Sequence, residues 1–382
     1  MNDTEWNISV EKIDQPYADQ WELMSDFMSL LDMRLYYMYK YHMWVGPENN
    51  LQNMIGLAVS RIEFEMNLTK AIDSVVGSNL KNEEIADIEM LNNYFLHRLE
   101  STKEQGGALK VLQLMSKFSL DDFSGNCLLL AFAVQLDKKY EKLFAYLQDD
   151  ITKKLPTAET AIKLFAIPGE VIADYFCYFT SNSPLVKFLL DMDGEADTIF
   201  GIKLRLRERI MDYLLGNDDD SLGQGYVELF DENQELHDVY VKDFPFRIIT
   251  SVTDASNTEN AHKDETVLVF ITGRKGSGRT FHVKHAVRRK KRRCLFINAK
   301  ALLESHRAIE EKINEVICES ILSNGYLCFT GFEVLLDEEQ KKSYSALLSA
   351  LIENAPYLKG LIFITSEKEW KDTNLPHNFI KG

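Results

Sequence analysis

The residues best suited to chemistry lie in one run, Gly273-Arg-Lys-Gly-Ser-Gly-Arg-Thr280. It fits the pattern G-x-x-x-x-G-[K/R]-[ST], in which glycines let backbone N–H groups turn inward on a polyphosphate without Cβ obstruction. The chemistry of such a phosphate-binding P-loop is to hold ATP or ADP. Its expected binding set is Gly273, Arg274, Lys275, Gly276, Ser277, Gly278, Arg279 and Thr280, with Thr280 also meeting Mg²⁺ when that ion is bound. Arg279 stands where the pattern expects lysine. Arginine keeps the charge but is larger and forked, so it need not reach bridging oxygens as a compact ammonium does. Whether the loop binds nucleotide stays open on this ground.

A P-loop works only between a strand and a helix. Val267–Ile271 is a short continuous apolar run, which reads as a strand buried on both faces, and Thr280–Arg289 reads as a helix with its positive dipole end at the loop. Beyond it, Cys294–Asn298, Tyr326–Leu336 and Gly360–Ser366 read as strands two to four. They alternate with helices over Lys300–Ile321 and Asp337–Asn354. This alternation predicts a parallel sheet with its ligand at the carboxyl ends of the strands. Arg288-Arg-Lys-Lys-Arg-Arg293 is a run of six cations. It reads as a helix end plus a solvated turn, or as a docking surface for acidic protein, ahead of a nucleic-acid patch.

Charge is unevenly spread. Residues 246–382 carry 21 Lys and Arg against 17 Asp and Glu, whereas residues 1–245 carry 22 against 42. An acidic front half disfavours nucleic acid, whose phosphates supply most of such affinity to cations, and suits docking to basic partners. No apolar run approaches the roughly 18 residues of a membrane span, and Met1-Asn-Asp-Thr-Glu5 has no secretory pattern. The five cysteines are scattered and read as reduced thiols of a cytoplasmic protein.

Residues 1–16 read as irregular. Tyr17–Trp44 and Leu51–Val76 show helical spacing around a Gly46-Pro47 turn, with a third helix over Asn82–Leu99. The aromatic crowd at 35–44 reads as helix packing rather than base stacking. Ala108–Phe118 follows, then Ser119-Leu-Asp-Asp122 caps a long apolar helix over Phe123–Leu136. Short helices then lead to an Ile/Leu/Arg alternation at 202–206, which suits a helix-turn-helix followed by a β-wing. Asn217 to Pro245 is acidic, polar and irregular, and reads as a linker.

The phrases LLLAFAVQLDKKYEKLFAYLQDD, LPTAETAIKLF and LRERIMDYLLGNDD resemble the winged-helix region that precedes the AAA+ modules of certain bacterial ATPases. Many of these are encoded beside contractile, phage-tail-like injection systems. The resemblance covers about residues 100–382. It implies an α/β P-loop (AAA+-like) parallel-sheet module preceded by mostly α-helical N-terminal and winged-helix domains. The expected limits are 1–95 for the helical domain, 96–216 for the winged helix, 217–245 for the acidic linker and 246–382 for the module. By the same resemblance Thr330 and Gly331 occupy the Walker B position, where two carboxylates should hold Mg²⁺ and activate water, and Thr365 and Ser366 are sensor-like. Neither Thr330 nor Gly331 is acidic. Glu333 is the weak catalytic candidate, read in preference as structural. A fifth strand, a helical lid and an arginine finger are not expected after residue 366; either the domain is abridged or, as the resemblance favours, the chain is the front part of a longer polypeptide in which a complete second module follows.

The expected function is thus a module with a degenerate nucleotide site, linked to remodelling of a macromolecular assembly of the contractile injection type. It acts in ring assembly as a homo-oligomer and docks a protein partner through its helical and winged-helix domains. Its own hydrolysis is expected to be negligible. Two alternatives remain, an active Mg-ATP remodeller using Glu333 and a winged-helix initiator-like protein reading DNA. Against the latter, Thr157–Phe165, the recognition segment, offers only Lys163 as a base-reaching cation beside Glu159.

Overall fold

The computed structural model describes residues 12–42, 82–106, 109–148, 150–167, 170–192, 198–217, 225–231, 233–236, 266–304, 308–358, 361–369 and 380–381. The helix expected over 51–76 and most of the 217–245 linker lie outside them. The chain divides into two compact units, Met1–Asn217 and Asp218–Gly382.

The first unit is helical. Helix α1 (Gln20–His42) starts where the Asp19 carboxylate accepts the N–H groups of Trp21 and Glu22, both at 2.9 Å, satisfying donors that the first turn leaves over. Helix α2 (Asn82–Glu104) lies against it. The domain limit expected at residue 95 falls inside α2 and does not separate two cores. The reason is packing: the Phe27 ring of α1 sits 5.8 Å from Phe95 and 6.0 Å from Phe165, so one core serves both predicted domains. Arg98 reinforces this join. Its side chain is 2% exposed and pairs with Glu22 at 3.0 Å and Asp26 at 2.8 Å, while its guanidinium lies 4.0 Å over the Tyr17 ring. The Ala18 N–H, with Lys12 and Arg98, holds the Glu22 carboxyl down at about 2.

Helix α3 (Lys110–Lys117) leads to α4 (Asp122–Leu136), whose N-cap Asp121 accepts the Ser124 N–H at 2.9 Å. Residues on every face of α4 are buried, as a helix apolar all round requires. Helices α5 (Lys139–Leu147) and α6 (Ala158–Phe165) follow. Residues 202–206 alternate as expected, with Ile202, Leu204 and Leu206 buried and Lys203 and Arg205 exposed. They do not build a regular β-wing. The segment makes isolated antiparallel bridges on both sides, Thr157 with Lys203 and Leu190 with Leu206. Helix α7 (Glu208–Leu215) ends at Gly216 with φ 81°. The Asn217 N–H bonds to Asp212 O and the Gly216 N–H to Tyr213 O, a Schellman closure that favours glycine.

The second unit is a six-stranded sheet in the order β1-β3-β4-β5-β2-β6. The strands are β1 (Val227–Phe230), β2 (Val267–Thr272), β3 (Cys294–Asn298), β4 (Tyr326–Thr330), β5 (Leu361–Ser366) and β6 (Ile380–Lys381). All pairings are parallel except β1 with β3. Helices α8 (Arg279–Arg289), α9 (Ala299–Glu304), α10 (Ile309–Ser323) and α11 (Lys341–Asn354) connect them. Four expectations change. The segment read as linker contributes β1. A fifth parallel strand does follow residue 366, as β6 beside β2. The apolar run from Tyr326 forms a strand only to Thr330, because Gly331 turns the chain with φ 67°. The single helix over 300–321 is two, and the buried Lys312 ammonium of α10 bonds to the Leu302 carbonyl of α9 at 2.7 Å. Among the described residues no helix is long and apolar enough to cross a membrane.

Candidate functional site

The glycine loop leaves the carboxyl end of β2, between β5 and β6. The Gly273 N–H donates to Ser366 O at 3.2 Å, which fixes the loop's first residue against β5. A Cβ on Gly273 would fall 2.7 Å from Ser277 Oγ. Gly276 and Gly278 have φ 82° and 79°, values that cost an L-residue with a side chain about 1–2 kcal/mol. Gly278 is the N-cap of α8 and supplies no side-chain cap, and no acidic residue stands in the first turn. The free amides and positive dipole end of α8 therefore point to the loop, which is the arrangement for an anion.

Arg274, Lys275 and Ser277 are exposed, while Arg279 and Thr280 are half-buried. The Arg279 side chain is 16% exposed, and its Nη2 lies 3.4 Å from Glu367 Oε1. Its Nη1 is buried without a hydrogen-bond partner among the described residues. Glu367 in turn donates its backbone N–H to Glu333 Oε2 at 3.0 Å. The fold thus brings Arg279, Glu333 and Glu367 to one rim, at the carboxyl ends of β4 and β5. Sequence reasoning missed Glu367. Its only signal was an acid directly after the strand-four apolar run. His282, one turn into α8, lies 3.8 Å from a Cβ built on Gly278, and burial lowers its pKa.

The other predicted positions are spent on backbone. Thr330 Oγ1 donates to Ile297 O at 3.2 Å, and Gly331 has no side chain, so β4 presents no carboxylate at its end. Thr365 is buried and donates to Phe329 O at 3.5 Å. Ser366 is buried and its Oγ accepts the Lys368 N–H at 3.1 Å. Among the described residues no cluster of three or more His, Cys, Asp and Glu side chains is placed to hold a metal ion. The glycine cradle and the buried Arg279 Nη1 fit a phosphate group. The strand ends do not fit the carboxylate-held cation expected beside it.

The 288–293 cations precede β3 and so lie at the amino edge of the parallel strands, opposite the loop. Some of the local charge is used within the unit. Arg293 Nε pairs with Asp231 at 3.2 Å and Arg292 Nη1 donates to Asn324 O at 3.4 Å. On α8, Lys284 pairs with Glu228 of β1 at 2.6 Å.

In the first unit α6, the predicted recognition segment, is capped by Thr157, whose hydroxyl accepts the Thr160 N–H at 3.5 Å. Lys163 on its outer face is held by Glu159 at 2.6 Å, so the one cation that sequence offered to bases is paired within its own helix. A comparison with curated proteins found no match. The family described as "winged helix domain, variant" matches residues 9–224, a span that takes in α1 to α7 together with the bridged 202–206 segment. The chain belongs to this winged-helix family.

Proposed function

We propose that this protein is a nucleotide-responsive docking module of AAA+ type, in which a glycine loop binds ATP or ADP and the winged-helix unit engages a protein partner. The observation that carries the reading is the pairing of two features at one sheet edge. A glycine loop runs into an uncapped helix beside the half-buried Arg279 guanidinium, whose Nη1 is unpartnered among the described residues, and no carboxylate stands at Thr330 or Gly331. The loop amides of 273–280, Arg279 and Thr280 would hold the phosphates. Bound nucleotide supplies negative charge that the buried Nη1 can meet. The missing acids remove the groups that would hold Mg²⁺ and orient water, which supply most of the stabilisation of phosphoryl transfer. Binding without turnover is the result. Assembly into a ring and a role in remodelling a contractile injection assembly rest on the resemblance of the sequence to that group of ATPases.

The test is calorimetric titration of the whole chain with ATP and ADP, with and without Mg²⁺, beside a phosphate-release assay. Micromolar binding lost in Thr280→Ala, with no release above background, is expected. Absence of binding in the unaltered chain overturns the reading of the loop. A hydrolysing enzyme is the second reading, favoured by the arrival of Glu333 at the rim. Its mark would be Mg²⁺-dependent turnover abolished in Glu333→Gln.

A further inference from the structure

The winged-helix unit contains a groove of about 750 Å³ between α5, the turn at 152–157, the start of α6 and the 198–203 segment. Four lysines stand on its rim, Lys153, Lys154, Lys163 and Lys203, and all four are exposed. We infer that this groove binds an extended acidic peptide segment of a partner protein, with carboxylates on the lysine rim and an apolar residue on the floor. The inference rests on the docking half of the function proposed above and names the chemistry of the partner.

The rim is built in advance of any ligand. Gln148, at the end of α5, donates its side-chain N–H groups to Lys153 O at 3.1 Å and Leu155 O at 2.9 Å, which holds the two-lysine turn in place. Asp150 Oδ1 accepts the Thr152 N–H at 2.8 Å and its hydroxyl at 2.6 Å. On the opposite wall the Ala158 N–H bonds to Ile202 O and the Leu204 N–H to Pro156 O, both at 2.8 Å, so Lys203 is carried by a bridged backbone. Such preorganisation lowers the ordering cost of binding.

Lys163 is paired with Glu159 at 2.6 Å, but the partners of the two turn lysines are weak. Lys153 lies 3.9 Å from Asp150 and Lys154 3.9 Å from Glu141, at exposed positions. Exposed pairs of this kind contribute little, so a ligand carboxylate displaces them readily. The floor is mixed, with the buried Thr157 and Thr160 beside apolar side chains. Leu147 and Leu155 are half-buried in it. Phe200 closes one end, 36% exposed, with its ring held edge-on by Phe176 at 5.0 Å. A further apolar surface continues from the sequence neighbours of the lining residues Met38 and Leu147, where Tyr39 and Tyr146 stack at 5.7 Å and are 39% and 44% exposed.

Two features favour peptide over nucleic acid. Glu141 and Glu159 also line the groove and repel any anion, but a peptide can set a neutral residue beside them, whereas a phosphate backbone carries charge at every step. Leu147, Leu155 and Phe200 also offer apolar contacts to alternate side chains of an extended chain, the usual source of specificity in such recognition.

The test titrates the full chain into a fluorescein-labelled peptide of about ten residues, alternating Glu with Leu and Phe, and follows anisotropy. The same peptide with Gln for Glu and a short DNA duplex serve as competitors. The expected result is saturable binding that falls about tenfold or more when Lys153→Glu and Lys203→Glu are combined, since two attractions become repulsions. Phe200→Ser should weaken binding while leaving its salt dependence unchanged. Thermal melting confirms that the variants fold. The inference is overturned if the peptide fails to bind, if the double variant binds it equally well, if the Gln peptide competes as well as the Glu peptide, or if duplex displaces the peptide through the same lysines. These outcomes leave the nucleotide titration untouched, so failure of the groove and failure of the glycine loop are separable.

Discussion

The guanidinium of Arg279 and the carboxylate of Glu367 lie 3.4 Å apart, so the cation of the glycine loop already faces an internal anion from the end of β5. The backbone of Glu367 is itself fixed by Glu333. A nucleotide phosphate must therefore share Arg279 with Glu367 or displace it. Glu367 is 40% exposed, and a pair this open contributes about 0–1 kcal/mol. Glu367→Gln is accordingly expected to tighten ADP and ATP binding by up to about fivefold. Calorimetry decides it, and an unchanged or weaker affinity in that variant would show that the pair does not oppose the ligand.

Gly278 carries the left-handed turn that starts α8. Gly278→Ala is expected to destabilise the second unit by about 1–2 kcal/mol, visible in thermal melting. It should also abolish nucleotide binding by reorienting the first amides of the helix. A variant that melts lower yet binds normally would separate the two effects and remove the loop's backbone from the binding account.

For turnover the expectation is a null result with two controls. The unaltered chain and Glu333→Gln should both release phosphate at background rate, since Glu333 is engaged with the Glu367 amide rather than facing the loop. Release by the unaltered chain that disappears in Glu333→Gln would install the hydrolytic reading in place of the binding one.

Stability of the first unit should depend on the buried guanidinium of Arg98. Arg98→Met removes one partner and leaves Glu22 and Asp26 facing each other, at a cost of about 3–5 kcal/mol, measurable by urea unfolding. The Glu22 carboxyl is depressed from 4.5 to about 2 in the folded state. A depressed carboxylate stabilises the fold above its unfolded pKa, and this contribution is lost as pH falls from about 4.5 towards 2. Glu22→Gln should therefore flatten the acid limb of the stability profile in that window. A profile that keeps its slope would assign acid sensitivity to other carboxylates.

Much of the site was legible because its signals are local. Continuous apolar runs marked β2 and β5, glycines marked the loop, and Asp121 marked the start of α4. What escaped depended on distant partners. Glu367 acquires its role only because β5 lies beside β2, which no spacing reveals. Val227–Phe230 is four residues long in an acidic stretch and becomes a strand by pairing with β3. Ile380–Lys381 is shorter still and owes its state to β2. The limit drawn at residue 95 falls inside a helix, because helical periodicity reports a buried face without saying which helix covers it. Here Phe27 covers Phe95 and Phe165 together.

Helix α8 has a mechanical consequence. Its first residue, Arg279, meets Glu367 at the loop, and Lys284 grips Glu228 on the edge strand β1, while the Lys284 ammonium also rests over the Phe230 and Phe296 rings. Five residues separate the two grips, about 7.5 Å along the axis. By the order of the sheet, the path between the same two strands traced sideways is longer, from β2 through β5, β4 and β3 before reaching β1. The helix is thus a short connecting rod between the phosphate loop and the strand by which the chain enters this unit.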